Sequence, residues 1–165
     1  MRWTVAICAL IGLTAVQDTS PQIHKQGKIQ FYDRAAVDID EGSAIVEVHV
    51  DGDDSVPDPT HPSVKGSDFW FEVGHFLHFH PEHGAMFSAS SVSSPEYSAC
   101  AKASYKKGSI RVDNVGSREH LCVRTSEGRY ANILITNYDP KSRQLSLSYT
   151  TWEKQTPSGT GNPRH

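Results

Sequence analysis

Cysteine is scarce in this chain, three in 165 residues. That count excludes a four-cysteine zinc knuckle, and no Cys-x-x-Cys redox pair occurs. Basic charge is also limited. With a net charge of −3, there is no positive field to hold nucleic-acid phosphates. No apolar run reaches the roughly twenty residues that a membrane-spanning helix requires. A Gly-x-Ser-x-Gly elbow is missing, no Ser/His/Asp order stands out, and there are no repeats. The length suits one domain, large enough to bury a core without a dense disulfide framework.

The N-terminus differs from the rest. A short positive start, Met1-Arg2-Trp3-Thr4, precedes an apolar run from Val5 to Ala15, then the polar Gln17-Asp18-Thr19-Ser20-Pro21. This pattern predicts a signal peptide over residues 1–17, cut after Ala15 or Gln17. The rival reading is a buried strand or helix of the domain itself. Cleavage would remove Cys8 and leave Cys100 and Cys122, which in an exported protein read as one disulfide. Its enclosed loop would stabilise the fold by roughly 3 kcal/mol. The expected location is therefore secreted, periplasmic or cell-envelope. Residues 18–27 are expected to form a flexible N-terminal segment, 28–153 a β-rich domain and 154–165 a disordered tail.

Period-two alternation dominates from Lys28 onward and predicts half-buried strands. It runs through Ile29 and Phe31, through Ala44 to Val50, and through Asp68–Glu72 and His75–His80. Pro81-Glu82-His83-Gly84 has turn chemistry, so Ala85–Ser90 is expected to return as a hairpin partner. Ser94-Pro95-Glu96 carries helix-start signals, and the helix is expected to continue to Ser104. Strands resume at Ser109–Asp113, Glu119–Thr125, Tyr130–Thr136 and Gln144–Trp152. In Glu119–Thr125, Leu121 and Val123 point opposite to Cys122, so a disulfide would pin the helix to the far face of that sheet. The predicted fold is mainly β: a small antiparallel β-sandwich or barrel with one short helix and one disulfide.

Four of the nine histidines fall within His75-Phe76-Leu77-His78-Phe79-His80-Pro81-Glu82-His83. On a strand, side chains two apart share a face, with Cα atoms about 6–7 Å apart. His78 and His80 therefore face one way, and Leu77 and Phe79 the other. Three readings stay open. The histidines form the polar outer face of a hairpin; or His78, His80 and His83 hold zinc or copper at about 2.0–2.1 Å; or the imidazoles form a pH-responsive cluster. His75 projects to the opposite face and is a poor fourth ligand.

Other features carry weaker signals. The proline- and aspartate-rich stretch Asp51–Gly66 reads as a long loop. Its Asp51, Asp53, Asp54 and Asp58 suit calcium, without EF-hand spacing. Glu47 and Glu72 form an unfixed carboxylate pair. Arg111, Arg118, Arg124 and Arg129 either bind an anion or pair with Glu119 and Glu127. Trp70, Tyr138 and Trp152 are either a stacking platform for sugar rings or, for the two tryptophans, core residues packed against each other.

Several pieces together resemble a recurring, largely uncharacterised domain of exported and membrane-anchored bacterial proteins. They are Asp68-Phe69-Trp70-Phe71-Glu72, Pro81-Glu82-His83-Gly84-Ala85, Tyr97-Ser98-Ala99-Cys100, the run from Leu121-Cys122-Val123-Arg124-Thr125 through Glu127-Gly128-Arg129 to Ala131, and Leu147–Trp152. The resemblance spans Asp68 to Trp152. It implies an extracytoplasmic β-rich module with Cys100 and Cys122 as its disulfide, Gly128 in a turn and Trp152 in the core. The family has no activity to carry over, and the histidines lie outside the shared pattern.

The leading functional expectation is an exported single-domain binding module for an extracellular or envelope protein or glycan, with a divalent metal at His78, His80 and His83 as an added feature. The alternative is a zinc- or copper-handling protein using the His75–His83 cluster. A third reading, a small secreted zinc hydrolase, would need Glu72 or Glu82 as general base.

Overall fold

The computed structural model describes residues 20–46, 64–92, 96–112 and 120–155. The expected signal peptide, the Asp51–Asp58 acidic run, Glu47, Arg118, Glu119, the Ser94-Pro95 cap and nearly all of the expected C-terminal tail lie outside the described residues.

Most of the alternating segments among the described residues become strands, with His75 and Phe76 left in a bend before β5, and two antiparallel sheets result. The strands are β1 (Ile23–Tyr32), β2 (Ala35–Asp38), β3 (Ser43–Val46), β4 (Phe69–Val73), β5 (Leu77–Pro81), β6 (Met86–Val92), β7 (Tyr105–Lys106), β8 (Ile110–Arg111), β9 (His120–Arg124), β10 (Tyr130–Asp139) and β11 (Gln144–Trp152), with one helix, α1 (Tyr97–Ala101). One sheet runs β1-β11-β10-β9-β6-β7, the other β3-β2-β4-β5-β8. The sheets stack without closing, so the fold is a sandwich and not a barrel.

Inward residues from both sheets meet in one core. Ile29, Phe31, Phe87, Val123, Ile133, Leu145 and Leu147 come from the six-stranded sheet, and Val37, Phe69, Phe71, Leu77 and Phe79 from the five-stranded one. Phe31 meets Phe71 edge to face, centroids 5.5 Å apart, and Phe69 meets Phe87 likewise at 5.5 Å. Each such phenyl, fully buried, favours folding by about 1.5–3 kcal/mol. These rings are the main adhesive between the sheets.

A smaller cluster lies on the outer face of the six-stranded sheet. Cys100 of α1 and Cys122 of β9 are bonded there, Sγ to Sγ at 2.06 Å. Trp152, Tyr97, Tyr105 and Tyr130 pack around them. Leu121 and Val123 point into the main core, as the alternation required. Among the described residues, no helix is long and apolar enough to cross a membrane.

Four expectations need correcting. The segment 18–27 is not all loose: β1 begins at Ile23 and pairs along its length with β11, Gly27 opposite Tyr149. Second, α1 holds five residues, not nearly three turns. The chain leaves it at Lys102 and returns as β7, with the Tyr105 hydroxyl donating to the Cys100 carbonyl at 2.7 Å. Third, β6 does not pair back onto β5. The chain crosses at Glu82–Ala85 to the other sheet, where β6 lies between β9 and β7. The crossing is driven by Phe87, which is buried against Phe69 and Phe79 from the facing sheet. Fourth, Trp152 packs on Tyr97 and Cys100, while Trp70 stacks on His80, so the two tryptophans are not partners.

Candidate functional site

The histidine strand β5 lies in the five-stranded sheet between β4 and β8. Leu77 and Phe79 are buried, and His78 and His80 stand half-buried on the outer face. Register sets their neighbours: Trp70 faces His80, Glu72 faces His78, and His78 faces Arg111. The His80 imidazole lies flat on the Trp70 indole, centroids 4.2 Å apart. Its Nε2–H donates to Glu72 Oε2 at 2.8 Å. The contact is a diagonal cross-strand pair that fixes ring and carboxylate together.

Further along, Gly74, His75 and Phe76 form the bend joining β4 to β5, with the Gly74 N–H donating to the Phe76 carbonyl. The bend turns the Phe76 ring outward, 37% exposed. The Arg111 guanidinium lies over it, 3.2 Å from the ring centroid. Phe76 and His78 are 6.4 Å apart, and His78 and His80 5.8 Å. An open cavity of about 420 Å³ sits beside this row, lined by His75, Phe76, Arg111 and Tyr138 among others.

The metal reading with His78, His80 and His83 meets a geometric correction. His83 does not fold back over β5. After Pro81 the chain departs for the other sheet, and His83 sits exposed at φ 47°, its Nε2–H donating to the Val64 carbonyl at 2.9 Å. Among the described residues, no three His, Cys, Asp or Glu side chains come together to hold a metal ion.

The remaining candidates separate. Trp70 and Trp152 are each 5% exposed, so they offer no platform for a sugar ring. Arg129 does pair with Glu127, and also lies 3.4 Å from Asp40 Oδ2 and 3.8 Å from Glu153 Oε2. Glu153 in turn accepts from His24 Nδ1–H, which holds its carboxyl below the usual range.

Sequence reasoning missed two buried acids, Asp68 and Asp40. Asp68 is wholly buried. Its Oδ2 accepts the Ile39 N–H at 2.9 Å and its Oδ1 the Ser126 N–H at 2.6 Å. Its own N–H donates to Val37 and its carbonyl accepts from Glu82. Burial, only partly offset by the Ser126 bond, pushes its carboxyl up to about 6. Asp40, also buried, is raised chiefly by burial, with the Thr125 hydroxyl and the Arg129 charge pulling the other way. Asp68 thus ties the end of β2, the entry to β4 and the β9–β10 turn together. No local pattern flags either acid, because their partners lie far away in sequence.

Compared with family models, curated proteins and solved structures, the chain gives no match.

Proposed function

We propose that the chain is an exported binding module for an extracellular or envelope partner, which docks on the outer face of β4, β5 and β8. One observation carries this reading: an exposed phenyl ring, Phe76, held beneath the Arg111 guanidinium beside an open cavity. An apolar ring displayed at a bend instead of entering the core gains free energy when a partner covers it. Arginine and aromatic side chains are enriched where interfaces are most strongly held. That composition favours a protein over a glycan on this face. The half-buried row of His78, His80 and Glu72 supplies a polar rim, already positioned by the Trp70 stack.

Export is supported by the leader-like N-terminus and by the Cys100–Cys122 pair, since such bonds persist in oxidising compartments. The resemblance over Asp68 to Trp152 points the same way. The metal-handling and zinc-hydrolase readings both need three imidazoles around one ion, and the position of His83 supports neither.

The test is affinity capture from the extracellular and envelope fractions with the mature chain and a Phe76→Ser/Arg111→Ala variant. A partner held by the first and lost by the folded second supports the reading. Equal capture by both removes the face from consideration.

A further inference from the structure

A second surface lies on the opposite side of the sandwich. Along β1 the residues at 26, 28, 30 and 32 all face outward and are exposed. Register carries them across the sheet. Gln30 faces Ser146 of β11, and Ser146 faces Asn137 of β10, which makes a polar row across three strands. A β-bulge falls at that row, with the register shifting between Ile135 and Asn137. The extra residue lets Thr136 and Asn137, adjacent in sequence, both stand exposed. The Gln30 amide donates to Ser146 Oγ at 3.2 Å, and the Thr136 hydroxyl donates to the Ser146 carbonyl at 3.1 Å. The row is thus partly organised in advance.

A cavity of about 640 Å³ opens over these residues, a size that suits two or three sugar rings. Lys28 is the one charged side chain among its described lining residues, and it makes no ion pair with any described residue. Tyr32, two positions beyond Gln30 on the same face, is 48% exposed. Elsewhere on this outer face Cys122, Tyr130 and Trp152 pack with the Tyr97–Cys100 helix, so the groove is the part left open.

We propose that this groove binds an acidic oligosaccharide, one carrying a uronic-acid carboxylate. The carboxylate faces Lys28. Ring hydroxyls, each donor and acceptor at once, suit the planar amides of Gln30 and Asn137 and the hydroxyls of Thr136 and Ser146. Tyr32 offers a phenol ring to the apolar face of a neighbouring pyranose. This goes beyond the protein-docking face described above: it involves the other sheet and is tested without that partner.

The experiment titrates the mature chain with uronate-containing tetrasaccharides of several linkages and with their carboxyl-reduced neutral counterparts, read by calorimetry and backbone-amide NMR. At least one acidic probe should bind and shift the amides of Lys28, Gln30, Thr136, Asn137 and Ser146, and its neutral counterpart should bind more weakly. Lys28→Gln should weaken binding about tenfold or more, the scale of one charge-assisted contact, and Asn137→Ala should weaken it as well. Lys102→Gln, on the exposed C-cap of the helix, should bind as the parent does. All three variants change exposed side chains, and thermal melts confirm that they fold. No binding by any acidic probe, equal affinity for the neutral forms, or full affinity in Lys28→Gln would overturn the proposal.

Discussion

The carboxylate of Asp68 accepts the backbone N–H of Ser126 at 2.6 Å, joining the entry to β4 in one sheet to the β9–β10 turn of the other. Its second oxygen holds the Ile39 N–H. Asn at this position keeps the shape but turns one acceptor into a donor facing an N–H. Asp68→Asn should therefore lose about 2–4 kcal/mol, the cost of a buried bond broken and a donor stranded. Urea denaturation measures it, and a loss under about 0.5 kcal/mol would mean that the bridge is dispensable.

Asp68 also gives the fold a pH signature. Its folded carboxyl is raised to about 6, so the native state holds that proton more tightly than the unfolded chain. The stability this contributes is complete below about pH 4, fades as pH rises toward 6, and is absent above that. Asp40 is shifted in the same direction, while Glu153 is shifted downward and opposes them. Carbon-13 titration of the carboxyls isolates each group. Asp68 should show a midpoint near 6, and Asp40→Asn should lower it by removing a neighbouring charge. A midpoint close to the ordinary aspartate value would contradict this assignment.

The Cys100–Cys122 bond joins residues 22 apart. Replacing both cysteines with alanine should cost about 3 kcal/mol and loosen α1 from the sheet. Hydrogen exchange at Tyr97–Ala101 would show that loosening. Mass spectrometry of chain recovered outside the cytoplasm should find the bond intact and residues 1–15 or 1–17 removed.

Two glycines make a paired prediction. Gly42 and Gly84 both have positive φ, 63° and 89°. A Cβ on Gly42 would collide with the Tyr149 hydroxyl, whereas a Cβ on Gly84 meets nothing within 4 Å. Gly84→Ala should cost about 1–2 kcal/mol, the backbone term alone. Gly42→Ala adds overpacking, for a total nearer 3 kcal/mol. Equal melting temperatures for the two variants would refute the close approach.

Period-two spacing revealed most of this architecture. It placed Leu77 and Phe79 inward with His78 and His80 outward, and it set Cys122 on the side opposite Val123. What alternation does not encode is which sheet a strand joins. Glu82-His83-Gly84 would serve a tight hairpin as well as a crossing, and only the burial of Phe87 between facing phenyls decides. The short β2, Ala35-Ala36-Val37-Asp38, has too little bulk to announce itself. Asp68 hid for another reason: its hydrogen-bond donors come from 29 and 58 residues away. His83 was drawn toward the metal reading by proximity in sequence, which the turn after Pro81 undoes.

Recognition at the β4–β5–β8 face is tested most directly by light-induced cross-linking. A benzophenone amino acid replaces Phe76 in one chain and Lys102, at the C-cap of α1, in a second, each produced from residue 1. Position 76 should trap a discrete extracytoplasmic protein that position 102 does not, and Arg111→Ala should abolish the product. A chain that stays inside the cell with its leader uncut, or identical products from the two positions, would contradict the account.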